Sequence, residues 1–262
     1  MELRMKRIGF FAIAVFLFFL CYSSAAAGTI RLRWDPVNGS SVAGYKIYYG
    51  TWSGNYADSI DVGNVTDYTI NTFEDCITYY LTVKSYDSSG IESLQYSNEV
   101  SGMPNPAIQS VTPSSAKQGD VLSVTISGEN FDDASRPEFD NQGITVISYD
   151  RISCTEISVD ISVNGGDGEK PAELSTGAVS VINSNGIVAS ASSAFTVTLN
   201  VGLLDTDNNG KIDGIDLSNL ARHFGYQEGS GYYDPSVDFN GDGWVDGNDL
   251  AILAAHFGEN LP

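Results

Sequence analysis

The chain has 262 residues, room for two or three modest domains, and a net charge of −20. That charge excludes nucleic acid and anionic membrane surfaces as partners and favours divalent cations. A composition rich in Gly, Ser, Val and Tyr and poor in Lys points to β-rich extracellular material.

The chain opens "MELRMKRIGFFAIAVFLFFLCYSSAAAGT", with basic residues first, then an apolar run from Ile8 to Leu20, then small residues. That order predicts a secretory signal cleaved after Ala27, and hence a secreted or cell-surface protein of bacterial type. The apolar run is shorter than the roughly 20 residues needed to span a bilayer, and no membrane span is expected after cleavage. Bulky Leu20 stands where a lipid-attachment motif before Cys21 would want a small residue. Glu2, Arg4, Lys6 and Arg7 sum to +2, so removing residues 1–27 leaves −20 − 2 = −22. Cys21 leaves with the signal. Cys76 and Cys154 fall in what read as different domains, so a disulfide between them is not expected, and packing or metal must hold the exported domains.

From residue 28 to 104, short stretches alternate apolar and polar side chains between Gly-containing turns. "IRLRWDP" puts Ile30, Leu32 and Trp34 on one face, "YKIYY" does so with Tyr45, Ile47 and Tyr49, and "YYLTVKS" with Tyr79, Leu81 and Val83. The pattern predicts a β-sandwich. "LRWDPVNGSSVAGYKIYYGTWSGNY" together with "TYYLTVKSYDSSGIESLQYSNEV" resembles a bacterial fibronectin type III domain. The resemblance implies that Trp34 is the core tryptophan of the second strand and Tyr79 the corner tyrosine. Its aromatic residues leave contact with polysaccharide open, although core packing and strand propensity account for most of them.

The proline-rich "GMPNPAIQSVTP" marks a boundary. Over 105–198 further strands are expected at "GDVLSVTISGENF", "ITVISYD", "EISVDISV", "GAVSVINSNG" and "SSAFTVT". "PAIQSVTPSSAKQGDVLSVTISGENF" resembles the opening of an IPT/TIG domain, also an immunoglobulin-like sandwich. Some members of that family bind DNA; this block lacks a basic patch, so a spacer or adhesion role is expected instead.

From 199 to 262 the character changes to acidic loops followed by helical patterns, and the block repeats itself. "DTDNNGKIDGIDLSNLARHFG" (205–225) lies over "DFNGDGWVDGNDLAILAAHFG" (238–258), an offset of 238 − 205 = 33. Calcium takes six to eight hard oxygen ligands, which a twelve-residue loop supplies from its first, third, fifth and twelfth side chains and its seventh carbonyl. In the first loop these are Asp205, Asp207, Asn209, Asp216 and the carbonyl of Lys211; in the second, Asp238, Asn240, Asp242, Asp249 and the carbonyl of Trp244. Asp213 and Asp246 at position nine can act through water. Gly210 and Gly243 serve the sharp turn. Ile212 and Val245 at position eight are expected to pair the two loops by their backbones. Two calcium ions are expected, and zinc is excluded by the absence of a Cys or His cluster.

Aspartate rather than glutamate closes each loop, "TVTLNVGLL" before the first loop reads as strand or coil, and a helix follows each loop at "GIDLSNLARHFG" and "GNDLAILAAHFG". The block resembles a type I dockerin. That family attaches polysaccharide-degrading enzymes to a scaffold by binding cohesin, read out through loop positions ten and eleven and helix positions seventeen and eighteen. Here those are Gly214, Ile215, Ala221 and Arg222, and Gly247, Asn248, Ala254 and Ala255. The hydroxyl pairs and Lys-Arg pairs frequent in cellulosomal members are absent, so a cohesin-like partner is left open.

The two histidines, His223 and His256, both sit in this block, which leaves no natural place for a Ser-His-Asp or Cys-His arrangement. No Gly-rich phosphate loop follows a strand, and two small sandwiches offer little room for paired glycosidase carboxylates. The chain therefore reads as mainly β, two immunoglobulin-like sandwiches followed by a small helical calcium module. It is expected to be non-catalytic. Either it is an attachment protein or it is an accessory, carbohydrate-binding component of a polysaccharide-degrading system.

Overall fold

The computed structural model describes residues 28–37, 42–165 and 170–262. The expected signal segment and Cys21 lie outside the described residues. No helix among the described residues is long and apolar enough to cross a membrane.

The first unit contains β1 (Gly28–Arg33), β2 (Val42–Gly50), β3 (Asp58–Gly63), β4 (Asp67–Phe73), β5 (Tyr79–Asp87) and β6 (Val100–Gly102). A β1-β4 sheet faces a β3-β2-β5-β6 sheet, all pairs antiparallel. Period-two alternation sends Tyr45, Ile47, Tyr79, Leu81 and Val83 inward from the larger sheet, against Ile70 and Phe73 of the smaller. Tyr79 stacks on Phe73 with ring centroids 3.9 Å apart, and its hydroxyl accepts from the Glu74 amide at 3.1 Å. β1 ends one residue before Trp34, whose ring meets Tyr45 edge-on at 5.7 Å.

The second unit contains β7 (Ala107–Thr112), β8 (Ser115–Lys117), β9 (Val121–Glu129), β10 (Arg136–Phe139), β11 (Ile144–Ser153), β12 (Glu156–Val163), β13 (Thr176–Ile182) and β14 (Val188–Thr198). Its sheets run β11-β12-β9-β7 and β10-β13-β14-β8, with β8 and β14 parallel. β12 shows the physical logic plainly. Ile157, Val159, Ile161 and Val163 alternate inward and are buried against Val179, Val181, Phe195 and Val197 of the facing sheet. Each such side chain contributes about 2 kcal/mol of transfer free energy. Both units therefore have the layering of a β-sandwich.

One expectation is overturned here. Cys76 and Cys154 form a disulfide, with Cα atoms 5.6 Å apart. The turn after β4 abuts the β11–β12 turn, and Asn130 sits between the units. Its side chain accepts from the Cys76 amide at 2.7 Å and donates to Asp75 at 2.7 Å and to the Asn105 carbonyl at 3.1 Å. The two cysteines are distant in sequence but meet where the sandwiches join, so the junction is covalent as well as hydrogen-bonded.

The remainder is helical and small. A 3-10 turn (Val201–Leu204) precedes α1 (Gly214–His223), and a second (Pro235–Val237) precedes α2 (Gly247–Ala255). Of the approach to the first loop, Thr196, Val197 and Thr198 are strand and Leu199 and Asn200 coil, as expected, and only Val201–Leu204 turns helical. The core of this module follows the repeat. Leu204 and Val237, Ile212 and Val245, and Leu220 and Leu253 are buried equivalents, joined by Phe239.

Candidate metal centre

Residues 199–262 carry eleven acidic groups against Lys211 and Arg222, a net of 2 − 11 = −9. The fold buries part of that charge. Asp216, Asp238 and Asp249 are fully buried and Asp205 is 7 % exposed. The ion pairs of this region, Lys170 with Glu228, His223 with Asp234 and His256 with Glu259, all lie outside the loop aspartates. Buried carboxylates are costly unless a cation or hydrogen bonds compensate them.

In the first loop the carboxylate oxygens of Asp205, Asp207 and Asp216 all come within 4.8 Å of one another. Asn209 joins them by donating to Asp207 at 2.9 Å. Amides wrap Asp205, which accepts from Asn209 at 3.0 Å and Gly210 at 2.8 Å. Asp216 ties the loop together. One oxygen accepts from the Thr206 amide at 2.7 Å and the other from the Asp213 amide at 2.8 Å. The second loop is bonded on a similar plan, with two of the amide donors shifted by one position. Asp238 accepts from Gly241 at 3.0 Å and Gly243 at 2.9 Å, and Asn240 donates to Asp242 at 2.8 Å. Asp249 accepts from Asn240 at 3.2 Å and from Asp246 at 2.8 Å. Burial, reinforced by the charges of Asp238 and Asp242, pushes the Asp249 carboxyl up to about 6 against the pull of those amides. Burial likewise raises Asp238, and the Tyr233 hydroxyl that donates to it is raised by burial first and that hydrogen bond second.

Asp213 and Asp246 cap the helices. Their carboxylates accept from Ile215 and Asn248 at 2.8 and 2.7 Å, and with Asp216 and Asp249 they form two capping boxes. The closing carboxylate thus joins the loop's start to the helix's start. The donor set is oxygen throughout, dense and partly buried, which fits a hard divalent cation.

The expected pairing of the two loops at position eight does not occur. The Ile212 amide donates to the Glu259 carbonyl at 3.0 Å, while the Val245 amide donates to the Tyr226 carbonyl at 3.0 Å. Lys211 bridges to Asn260 and Trp244 to Gln227. Each loop pairs with the chain leaving the other repeat's helix. Gly225 and Gly258, at φ +87° and +89°, turn the chain out of the helices and into these pairings.

The eight residues singled out at positions ten, eleven, seventeen and eighteen are all exposed: Gly214, Ile215, Ala221, Arg222, Gly247, Asn248, Ala254 and Ala255. Beside them lie exposed apolar equivalents that sequence reasoning missed, Leu217 with Leu250 and Phe224 with Phe257. Their signal was their recurrence in both repeats. His223 faces the Tyr232 carbonyl at 2.8 Å and His256 faces Glu259 at 3.0 Å; neither lies in a loop.

Two acidic loops, each closed by a buried aspartate that also bonds to the start of the helix behind it, make a duplicated loop-and-helix module. Residues 203–258 match the family described as "Dockerin type I domain", whose members bind calcium and attach to protein partners. Among curated proteins, the chain is 46 % identical over 70 residues to a "Kelch domain-containing protein SSO1033" of Saccharolobus solfataricus, which covers 27 % of this chain and 9 % of that one. It is 35 % identical over 112 residues to a "Kelch domain-containing protein" of Sulfurisphaera tokodaii, covering 41 % of this chain and 13 % of the relative. The chain therefore spans only a small part of these relatives. Among solved structures, "Chitinase ChiA74 from Bacillus thuringiensis" aligns at 17 % identity and a TM-score of 0.25, over 68 % of this chain and 26 % of the chitinase.

Proposed function

We propose that this chain is an exported, non-catalytic attachment protein whose C-terminal module binds two calcium ions and docks a protein partner, cohesin-like in kind. The observation that carries this reading is the pair of buried closing aspartates, Asp216 and Asp249, each bonded to both the loop's start and the helix's start. Two ions return +4 to a module of net −9, and the ligands are those of the twelve-residue loop: Asp205, Asp207, Asn209, Asp216 and the Lys211 carbonyl, then Asp238, Asn240, Asp242, Asp249 and the Trp244 carbonyl, with Asp213 and Asp246 acting through water. The units at 28–104 and 105–198 are fibronectin type III-like and IPT/TIG-like sandwiches serving as spacers. Support for the first is Tyr79, whose hydroxyl bonds a backbone amide five residues upstream in the manner of a tyrosine corner.

A narrower reading, that the chain brings carbohydrate to a polysaccharide-degrading assembly, draws on Trp52, 75 % exposed between β2 and β3. The test is capture of partners from an exported-protein fraction by the full chain, in calcium and in chelator. Calcium-dependent capture, lost in an Asp216→Ala, Asp249→Ala double variant, is expected; equal capture in chelator overturns the reading.

A further inference from the structure

The two calcium loops are near-copies in sequence but sit in different surroundings. In the first, Asp207, Asn208 and Asn209 are exposed. In the second, Phe239 and Gly241 are buried and Asn240 half-buried against the second sandwich, while Asp242 stays exposed. Gln118, itself fully buried, donates from one amide nitrogen to the carbonyl of Phe239 at 3.0 Å and to that of Ala172 at 2.8 Å. The Leu174 amide donates to the carbonyl of Asn240 at 2.8 Å. These are loop positions two and three. Position four is Gly241, where a Cβ would stand 2.6 Å from the Pro171 carbonyl oxygen and 2.8 Å from that of Ala172. The first loop has Asn208 there, at φ +56° against +71° for Gly241. The glycine is therefore required by the sandwich and not by the loop's own conformation.

The sandwich side of this contact is itself well held. Ala172 is buried in the core of the second sandwich, and its amide donates to the Asn164 carbonyl at 2.9 Å. Lys170 approaches Glu228 at 3.5 Å beside the same loop.

We propose that the second sandwich forms part of the second calcium site: Gln118 and residues 171–174 hold positions two to four of that loop in its binding shape. Gln118 is a positioning residue, since it reaches the loop backbone and no ligand atom. This inference rests on the calcium reading above. Its consequence is that the two sites are unequal. Filling the second is coupled to seating the module on the sandwich, and by reciprocity of linkage calcium stiffens that joint. The first loop fills independently of it.

The test titrates the full chain with calcium by calorimetry while following the fluorescence of Trp244, which lies in the second loop. Gly241→Asn gives the second loop the residue that the first carries at this position and adds only the clash with Pro171 and Ala172. Gln118→Met removes the donor from outside the module. Loss of one buried hydrogen bond should weaken the Trp244-reporting site about tenfold. The other site should stay unchanged, and small-angle scattering of the calcium form should broaden. If Gly241→Asn fails to regain wild-type helicity in excess calcium, Gln118→Met alone decides. An unaltered Trp244 site in the variants, or equal weakening of both sites, overturns the proposal. Absence of any calcium binding by the wild-type chain overturns the calcium reading itself.

Discussion

The Gly258 amide donates to the Ile212 carbonyl at 2.8 Å, joining the end of the second repeat to the middle of the first. The Gly225 amide makes the equivalent bond to the Val245 carbonyl at 2.7 Å. Each acidic loop is thus closed by the chain that leaves the opposite helix, which explains why both repeats end in glycine. Both glycines lie in the left-handed region, where a Cβ costs about 1–2 kcal/mol. Gly258→Ala should lower the stability of the calcium-loaded module by about that amount. Thermal unfolding in calcium reads it directly; an unchanged midpoint would show that the crossed pairing contributes nothing.

Asp216→Ala and Asp249→Ala should each weaken calcium binding at their own loop by at least about tenfold, or about 1.4 kcal/mol. Each removes a buried carboxylate that also fixes the capping box of the following helix. In excess chelator the uncompensated aspartates should unwind α1 and α2 while the apolar cores of the two sandwiches persist. Circular dichroism of the full chain should then lose its helical component and keep its β component. Full helicity in chelator would contradict this.

The Cys76–Cys154 bond closes a loop with a sequence separation of 78. Loop-closure entropy assigns such a crosslink about 4.5 kcal/mol. Cys154→Ser should therefore lower the unfolding midpoint of the sandwich pair and raise protease sensitivity near Asp75. The Asn130 hydrogen bonds should hold part of the junction in the variant. A midpoint matching the wild type under oxidising conditions would mean the bond is dispensable.

Acid should act on the first sandwich through Asp67. Hydrogen bonds from Arg31 and Arg33, with their charges, hold its carboxyl down to about 2. Its folded value lies below its unfolded one, so its contribution is present above about pH 4 and lost as pH falls toward 2. The pair is exposed, so the contribution should shrink in high salt. Asp67→Asn should flatten the stability profile of this unit between pH 4 and 2, and an unaltered slope would count against the cluster.

Much of this protein follows from spacing along the chain. β12 alternates Ile157, Val159, Ile161 and Val163, and period two alone sends all four to one face. The aspartates of the two loops stand at ligand spacing, and the twelve-residue spacing already places Asp205, Asp207 and Asp216 of the first loop where their carboxylates can converge. Tertiary structure decided what spacing does not encode. Cys76 meets Cys154, Gln118 meets Phe239, and Ile212 meets Gly258, pairs separated by between 46 and 121 positions. Periodicity describes which side of a strand or helix a residue occupies and carries no record of which distant surface will cover it. That choice arises from the complementarity of whole units once folded, which is why two loops nearly alike in sequence end in unlike surroundings.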